Sequence, residues 1–239
     1  MASIELFGRP SRLFRYRGLS DNTISRELQA INNKYVFCAL ISQMNDPMEG
    51  SHNDSKLFKA SATYKKKRKE ITNIKSGLGI ASFSESNDDH TMWAHYASNF
   101  SGICIAYRFG NLLRELTDEY QFVRMNYRDK APALPESKMS PMELAKMVLS
   151  TKTSHWASER EWRLIAPSSG AASYQNIRCI AHVYLGSRIA DSHKIALANV
   201  LRRLTIPFST MKIGTYKILF EKDADAVRPK KAKANVKPA

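Results

Sequence analysis

Glu159 and Glu161 stand two residues apart in HWASEREWRLI (155–165), at the entrance of an apolar run. Trp156 and Trp162 flank them, and Arg160 and Arg163 are interleaved. Carboxylates held this close can stabilise a developing positive charge or accept a proton. In an extended segment Glu159, Glu161 and Arg163 share one face, and Arg160, Trp162 and Leu164 share the other. The same spacing also suits the wet side of a strand whose acids are neutralised by Arg163. Both readings stand at this point.

Other stretches carry residue types able to join such a centre. RLFRYR (12–17) brings Arg15, Tyr16 and Arg17 together before Gly18, guanidinium groups suited to clamping phosphate oxygens. LGIASFS (78–84) ends with Ser82 and Ser84, whose hydroxyls share a strand face. Trp93, His95 and Tyr96 lie on a helical segment at 90–98, as site walls or as core anchors. QMNDPMEG (43–50) gathers Asn45, Asp46 and Glu49 in a loop, where they either line a cleft or stabilise a turn. No GxxxxGK[ST] loop, GxGxxG fingerprint or GxSxG elbow is present, and the six histidines form no HExxH or HxxxH pair. No metal site is expected, so the chemistry falls to Ser, Tyr, Arg, Glu and Trp.

Strands are expected at 12–17, 35–41, 78–84, 102–109, 121–127, 177–185 and as a pair at 209–220. Helices are expected from an Asp21 or Asn22 cap to about Asn32, and at 55–75, 90–98, 141–153 and 192–204. Strands and helices alternate irregularly and without repeats, which predicts a single α+β domain over residues 1–222. Residues 223–239 are rich in Ala, Lys and Pro and have few apolar anchors, so a disordered basic tail is expected.

The net charge is +15. Much of it sits in Lys65, Lys66, Lys67, Arg68 and Lys69, and in Arg228, Lys230, Lys231, Lys233 and Lys237. Clusters of this kind attract polyanions such as nucleic acid, or serve solubility. Cys38, Cys104 and Cys179 lie singly within apolar runs, as buried thiols do. No signal-like segment and no membrane-length apolar run is present, so a cytoplasmic protein without a membrane partner is expected.

Taken in order, LFRYRG, QMNDPMEG, ASFSE…TMWAHYASNFSGICIAY and WASEREWRLI resemble the bacterial family catalogued as domain of unknown function 2971, over about residues 13–220. A second resemblance is to toxin-type ADP-ribosyltransferases. These carry an Arg on an early strand, Ser-x-Ser on a middle strand and Glu-x-Glu on a late one. Arg15 or Arg17, Ser82-x-Ser84 and Glu159-x-Glu161 follow that order here.

The second resemblance implies an ADP-ribosyltransferase fold with a mixed or antiparallel sheet core, and NAD as substrate. Glu161 is then the principal catalytic carboxylate and Glu159 the lesser one. Arg15, Tyr16, Arg17, Asn45, Ser82, Ser84, Trp93 and Tyr96 would hold NAD, with Ser84 orienting the glutamate. Lys65–Lys69 would hold a nucleic-acid acceptor, RNA or DNA. The biological expectation is an intracellular toxin of a toxin–antitoxin or phage-defence system, with an antitoxin protein as partner. The alternatives are a non-catalytic nucleic-acid-binding module and a metal-independent ribonuclease using Glu161, Arg and His95.

Overall fold

A computed structural model describes residues 8–222. The strands are β1 (Arg12–Arg17), β2 (Tyr35–Leu40), β3 (Asn53–Asp54), β4 (Gly79–Ser84), β5 (Ile103–Arg108), β6 (Gln121–Arg124) and β7 (Asn126–Arg128). They continue with β8 (Ala133–Leu134), β9 (Thr151–Thr153), β10 (Glu161–Ala166), β11 (Gly170–Ser173), β12 (Ile180–Leu185), β13 (Phe208–Gly214) and β14 (Lys217–Lys222). The helices are α1 (Ile24–Asn32), α2 (Lys56–Ala60), α3 (Tyr64–Gly77), α4 (His90–Tyr96), α5 (Phe109–Glu115), α6 (Pro141–Leu149) and α7 (Asp191–Arg203). The architecture is a single α+β domain built on a mixed sheet, in which β12 and β13 run parallel and the other strands of the sheet pair antiparallel. The expected tail at 223–239 lies outside the described residues.

Alternation along the strands builds two buried layers. Leu13, Phe83, Ile105, Trp162 and Leu164 join one core, and Tyr16, Cys104, Trp93 and Met92 join a second. All three cysteines are buried free thiols, as their apolar surroundings predict.

The feature that positions the site is the branching of the sheet at β4. One edge of β4 pairs with β10 along its whole length, from Gly79↔Ala166 to Ser84↔Glu161. The opposite edge pairs with β2 only at Gly79 and Ile80, and with β1 only at Ser84. Between those contacts β1 and β2 part, and a cleft opens beside Ser82 and Phe83. Helix α4 is tied to β1 across this opening. Asp89 caps its first turn, and Ser98, Asn99 and Phe100 end it with three consecutive positive φ angles. Gly102 then passes so close to the carbonyl of Arg17 that an added Cβ would lie 2.2 Å from that oxygen.

Several expected elements are divided. The helix expected at 55–75 is broken between Ala60 and Tyr64, where Ser61 and Thr63 hydrogen-bond to each other in place of the helix ladder. Leu57, on the short first segment α2, is 76% exposed. The helix expected at 141–153 stops at Leu149, because Thr151–Thr153 pairs in parallel with β7. Asp21 does not cap α1; Thr23 holds that position, and the Asp21 carboxylate meets the His193 ring at 2.9 Å instead. The two glutamates do not share one extended segment. Ser154–Glu159 form a 3-10 turn, Arg160 adopts a left-handed conformation, and the strand begins at Glu161.

Candidate active site

The cleft has a volume of about 180 Å³. β1 lines it with Phe14, Arg15, Tyr16 and Arg17, and β4 with Ile80, Ser82 and Phe83. The loop after β2 contributes Gln43, Met44, Asn45 and Glu49, and α4 contributes Met92 and Tyr96. Lys152, Glu159 and Glu161 close the far end.

That far end is a buried ion cluster. Lys152 donates to Glu159 at 2.7 Å and to Glu161 at 3.3 Å, and lies 3.4 Å from Glu49. The Arg163 guanidinium donates through Nε to Glu161 at 2.7 Å and through Nη2 to Glu49 at 2.5 Å. Its Nη1 donates to the Leu149 carbonyl. Tyr96 donates its hydroxyl to Glu159 at 2.6 Å, and Lys152 lies 4.8 Å from the centre of the Trp156 ring. Ionised, the three carboxylates and two cations leave one net negative charge facing the cleft.

Desolvating five ions costs several kcal/mol per ion before pairing offsets it, and an apolar core of similar volume is often at least as stable. Such a cluster at a cleft marks a candidate functional site. Burial alone raises the proton affinity of Glu161, but Arg163 and Lys152 outweigh it, with help from a Ser82 hydrogen bond. The carboxyl is therefore held below its ordinary value of 4.5. Burial pulls Lys152 down, and its glutamate neighbours more than restore it.

The sign of this shift predicts acid sensitivity. The unfolded chain takes up a proton at Glu161 before the folded protein does, so stability falls as pH drops from the ordinary value through the lowered one. Tm measured between about pH 3 and pH 7 is expected to show an acid limb that flattens in Glu161→Gln. An identical limb in both proteins overturns the assignment of that shift to Glu161.

The other end of the cleft is cationic. Arg17 is held bidentate by buried Glu27, at 2.6 and 3.0 Å. Arg15 is 8% exposed and donates through Nη2 to the Phe37 carbonyl at 2.6 Å. Among the described residues no acid lies within ion-pair distance of it. Burial, then the neighbouring Arg17, lowers its pKa to about 10. A buried guanidinium without a counter-ion is costly unless an anion arrives.

Of the residues read from sequence, Arg15, Tyr16, Arg17, Asn45, Ser82, Tyr96, Glu159 and Glu161 converge on this cleft. Ser84 and Trp93 do not line it. Ser84 is fully buried and donates to the Glu159 backbone carbonyl, so it orients the segment carrying that glutamate. Trp93 is also fully buried; it bonds the Asn87 carbonyl and packs edge-on against Tyr16 from beneath. His95 is exposed and outside the cleft. Lys65–Lys69 lie on α3, outside the cleft lining, where Arg68 pairs with Asp54 and Lys67 lies 4.0 Å from Glu136. Asp46 closes its own turn by accepting from the Met48 amide, which leaves Asn45 and Glu49 to the cleft.

Four participants lie outside the catalytic and NAD-binding residues expected from sequence. Lys152 sits at what reads as a helix end, and burying a lysine there leaves no periodic signal. Glu49 reads from sequence as a loop acid that either lines a cleft or stabilises a turn, and Arg163 as a neutraliser. Tyr127, whose hydroxyl accepts from the Glu161 amide at 2.8 Å, carried no signal either.

Residues 92–164 match the family described as Protein of unknown function (DUF2971). The matched DUF2971 segment runs from α4 through β10. It contains Tyr96, Lys152, Glu159, Glu161 and Arg163, the acidic end of the cleft, while Arg15, Asn45, Glu49 and Ser82 precede it. No curated protein and no solved structure matches the chain.

Proposed function

We propose that the protein is an NAD-dependent mono-ADP-ribosyltransferase with an ADP-ribosyltransferase-like core, acting on a nucleic-acid acceptor, RNA or DNA. The observation that carries this reading is the opposed polarity of the cleft: a buried Arg15 with no acid partner among the described residues at one end, and a net-negative glutamate cluster at the other. The ordered motif supports it, because the Arg strand, the Ser-x-Ser strand and the start of the Glu-x-Glu strand are β-sheet neighbours.

NAD is a diphosphate joined to a ribose that becomes cationic when nicotinamide leaves. Arg15 is suited to the diphosphate by charge-assisted hydrogen bonds, since Arg17 is neutralised by Glu27. Ser82 and Glu161 would meet the ribose. The cleft is smaller than the roughly 300–1,000 Å³ of most ligand pockets, so it suits the nicotinamide–ribose half while adenosine extends outside.

The bond between C1′ and the nicotinamide nitrogen breaks, and its electron pair leaves with nicotinamide. Glu161 stabilises the charge left on the sugar, and a nucleophilic oxygen or nitrogen of the acceptor bonds to C1′. The proton that this atom sheds passes to Glu159. Glu161 already receives Arg163, Lys152 and Ser82, and a carboxylate has about four acceptor positions. The ribose hydroxyl therefore takes over the position of the Ser82 hydroxyl.

Incubation with labelled NAD and RNA, DNA or whole lysate is the direct test. Release of nicotinamide and a mass increase of one ADP-ribose on nucleic acid are expected. Folded protein that produces neither overturns the proposal, and shortened RNA would assign the site to strand cleavage. The proposed biological role is an intracellular toxin restrained by an antitoxin protein, for which growth arrest on expression, relieved by a neighbouring gene product, is the measurement.

A further inference from the structure

A second, wider groove adjoins the cleft at the end of the sheet where β4 and β6 finish and β1 and β10 begin. Its volume is about 720 Å³, and Arg12, Arg124 and Arg160 line it together with Phe14 and Glu85. Arg124 pairs with Glu85 at 3.3 Å, and Glu85 also accepts from the Trp162 indole. Among the described residues that line it, one acid stands among three exposed guanidinium groups, a net charge of about +2. Phe14 lines both cavities and so forms the wall between them.

Arg160 ties the groove to the chemistry. It is the residue between the two candidate acids, with φ at +46° and ψ at +49°. This left-handed conformation is disfavoured for a non-glycine residue. It separates Arg160 from its neighbours: Glu159 and Glu161 are buried in the cluster, while Arg160 is exposed in the groove.

We propose that this groove, and not the lysine-rich face of α3, takes the phosphates of a single-stranded nucleic acid and presents one nucleotide to the adjoining cleft. The last step rests on the transferase reading; strand binding does not. Guanidinium groups match phosphate oxygens in geometry as well as charge. Phe14 offers a stacking face where the strand would turn inward. A nucleotide presented at the mouth of the cleft must be unpaired and unstacked from its neighbours, so the strand must be single or locally opened.

The test is anisotropy of a fluorescently labelled, mixed-sequence RNA oligonucleotide with the full chain, without NAD, over a series of salt concentrations. Arg12→Gln/Arg160→Gln is the main variant, because both side chains are exposed and its fold can be checked by circular dichroism. Each lost phosphate contact lowers the slope of log K against log salt by about 0.7 for a single strand, so a reduction of about 1.4 is expected. Lys65→Gln/Lys66→Gln/Lys69→Gln is expected to change the slope less, and a matched duplex to bind more weakly than the single strand.

An unchanged slope in the arginine variant overturns the proposal. So does a larger loss in the lysine variant, or equal competition by an acidic peptide. Nicotinamide release is followed in parallel. Its absence from wild type, with the salt behaviour as expected, removes the transferase reading and leaves the groove as the strand-binding site.

Discussion

Glu161→Gln is expected to lower the rate of nicotinamide release by roughly 100-fold or more, the effect of removing one preorganised group from a charge-developing transition state. The substitution keeps the shape and removes the charge. In the ion cluster it takes the net charge from one negative to zero, and with it the field that would favour a cationic sugar. The same change weakens the fold. Arg163 loses its 2.7 Å charged partner, and the new amide group must point toward a cation on at least one side. A lowered Tm therefore accompanies the lost rate, and activity must be measured well below it. Glu159→Gln is expected to cost less, because Glu161 remains. Wild-type turnover in folded Glu161→Gln would mean that the wrong carboxylate carries the chemistry.

Arg163→Met is expected to have the largest effect on stability, on the order of 3–5 kcal/mol. Arg163 is 1% exposed and holds Glu49 and Glu161 together while bonding the Leu149 carbonyl. Without it the cluster carries two net negative charges in a poorly solvated space, and Lys152 alone faces three carboxylates. Urea denaturation measures the loss. The double variant Arg163→Met/Glu161→Met returns the net charge to its original value. Its cost is expected to fall short of the sum of the single substitutions by about 0.5–3 kcal/mol. Additive costs would show that packing by the long arginine stem, and not charge compensation, explains the single result.

The two variants separate two properties of the same cluster. Glu161 is proposed for chemistry with a stability cost attached, whereas Arg163 keeps Glu161 ionised and holds it together with Glu49. The strand-face reading of the two glutamates holds in part. Arg163 does neutralise Glu161 across two residues of one strand face, as a plain strand would have it, but the pair is buried against a cleft and not exposed to water. Glu159 reaches the same cluster by another route, from a 3-10 turn held by the Ser84 hydroxyl on its carbonyl.

The amino-acid sequence by itself determined the α+β class, most element positions, the buried state of the cysteines, and the residue types that meet in the cleft. These follow from local rules: alternation in β1 and β4, helical spacing in α7, and the order of arginine, serines and glutamates along the chain. Tertiary structure decided the rest. Glu49 and Arg163 are 114 residues apart and meet only because β10 pairs along β4 while the loop after β2 folds over them. Lys152 enters the cluster because Thr151–Thr153 leaves the helical path to pair with β7. Arg160 leaves the strand pattern through one positive φ. Periodicity reports which face a residue occupies, but it carries no information about which distant charge waits on that face. A buried ion cluster is defined by such long-range partners, so its membership became legible only in the folded chain.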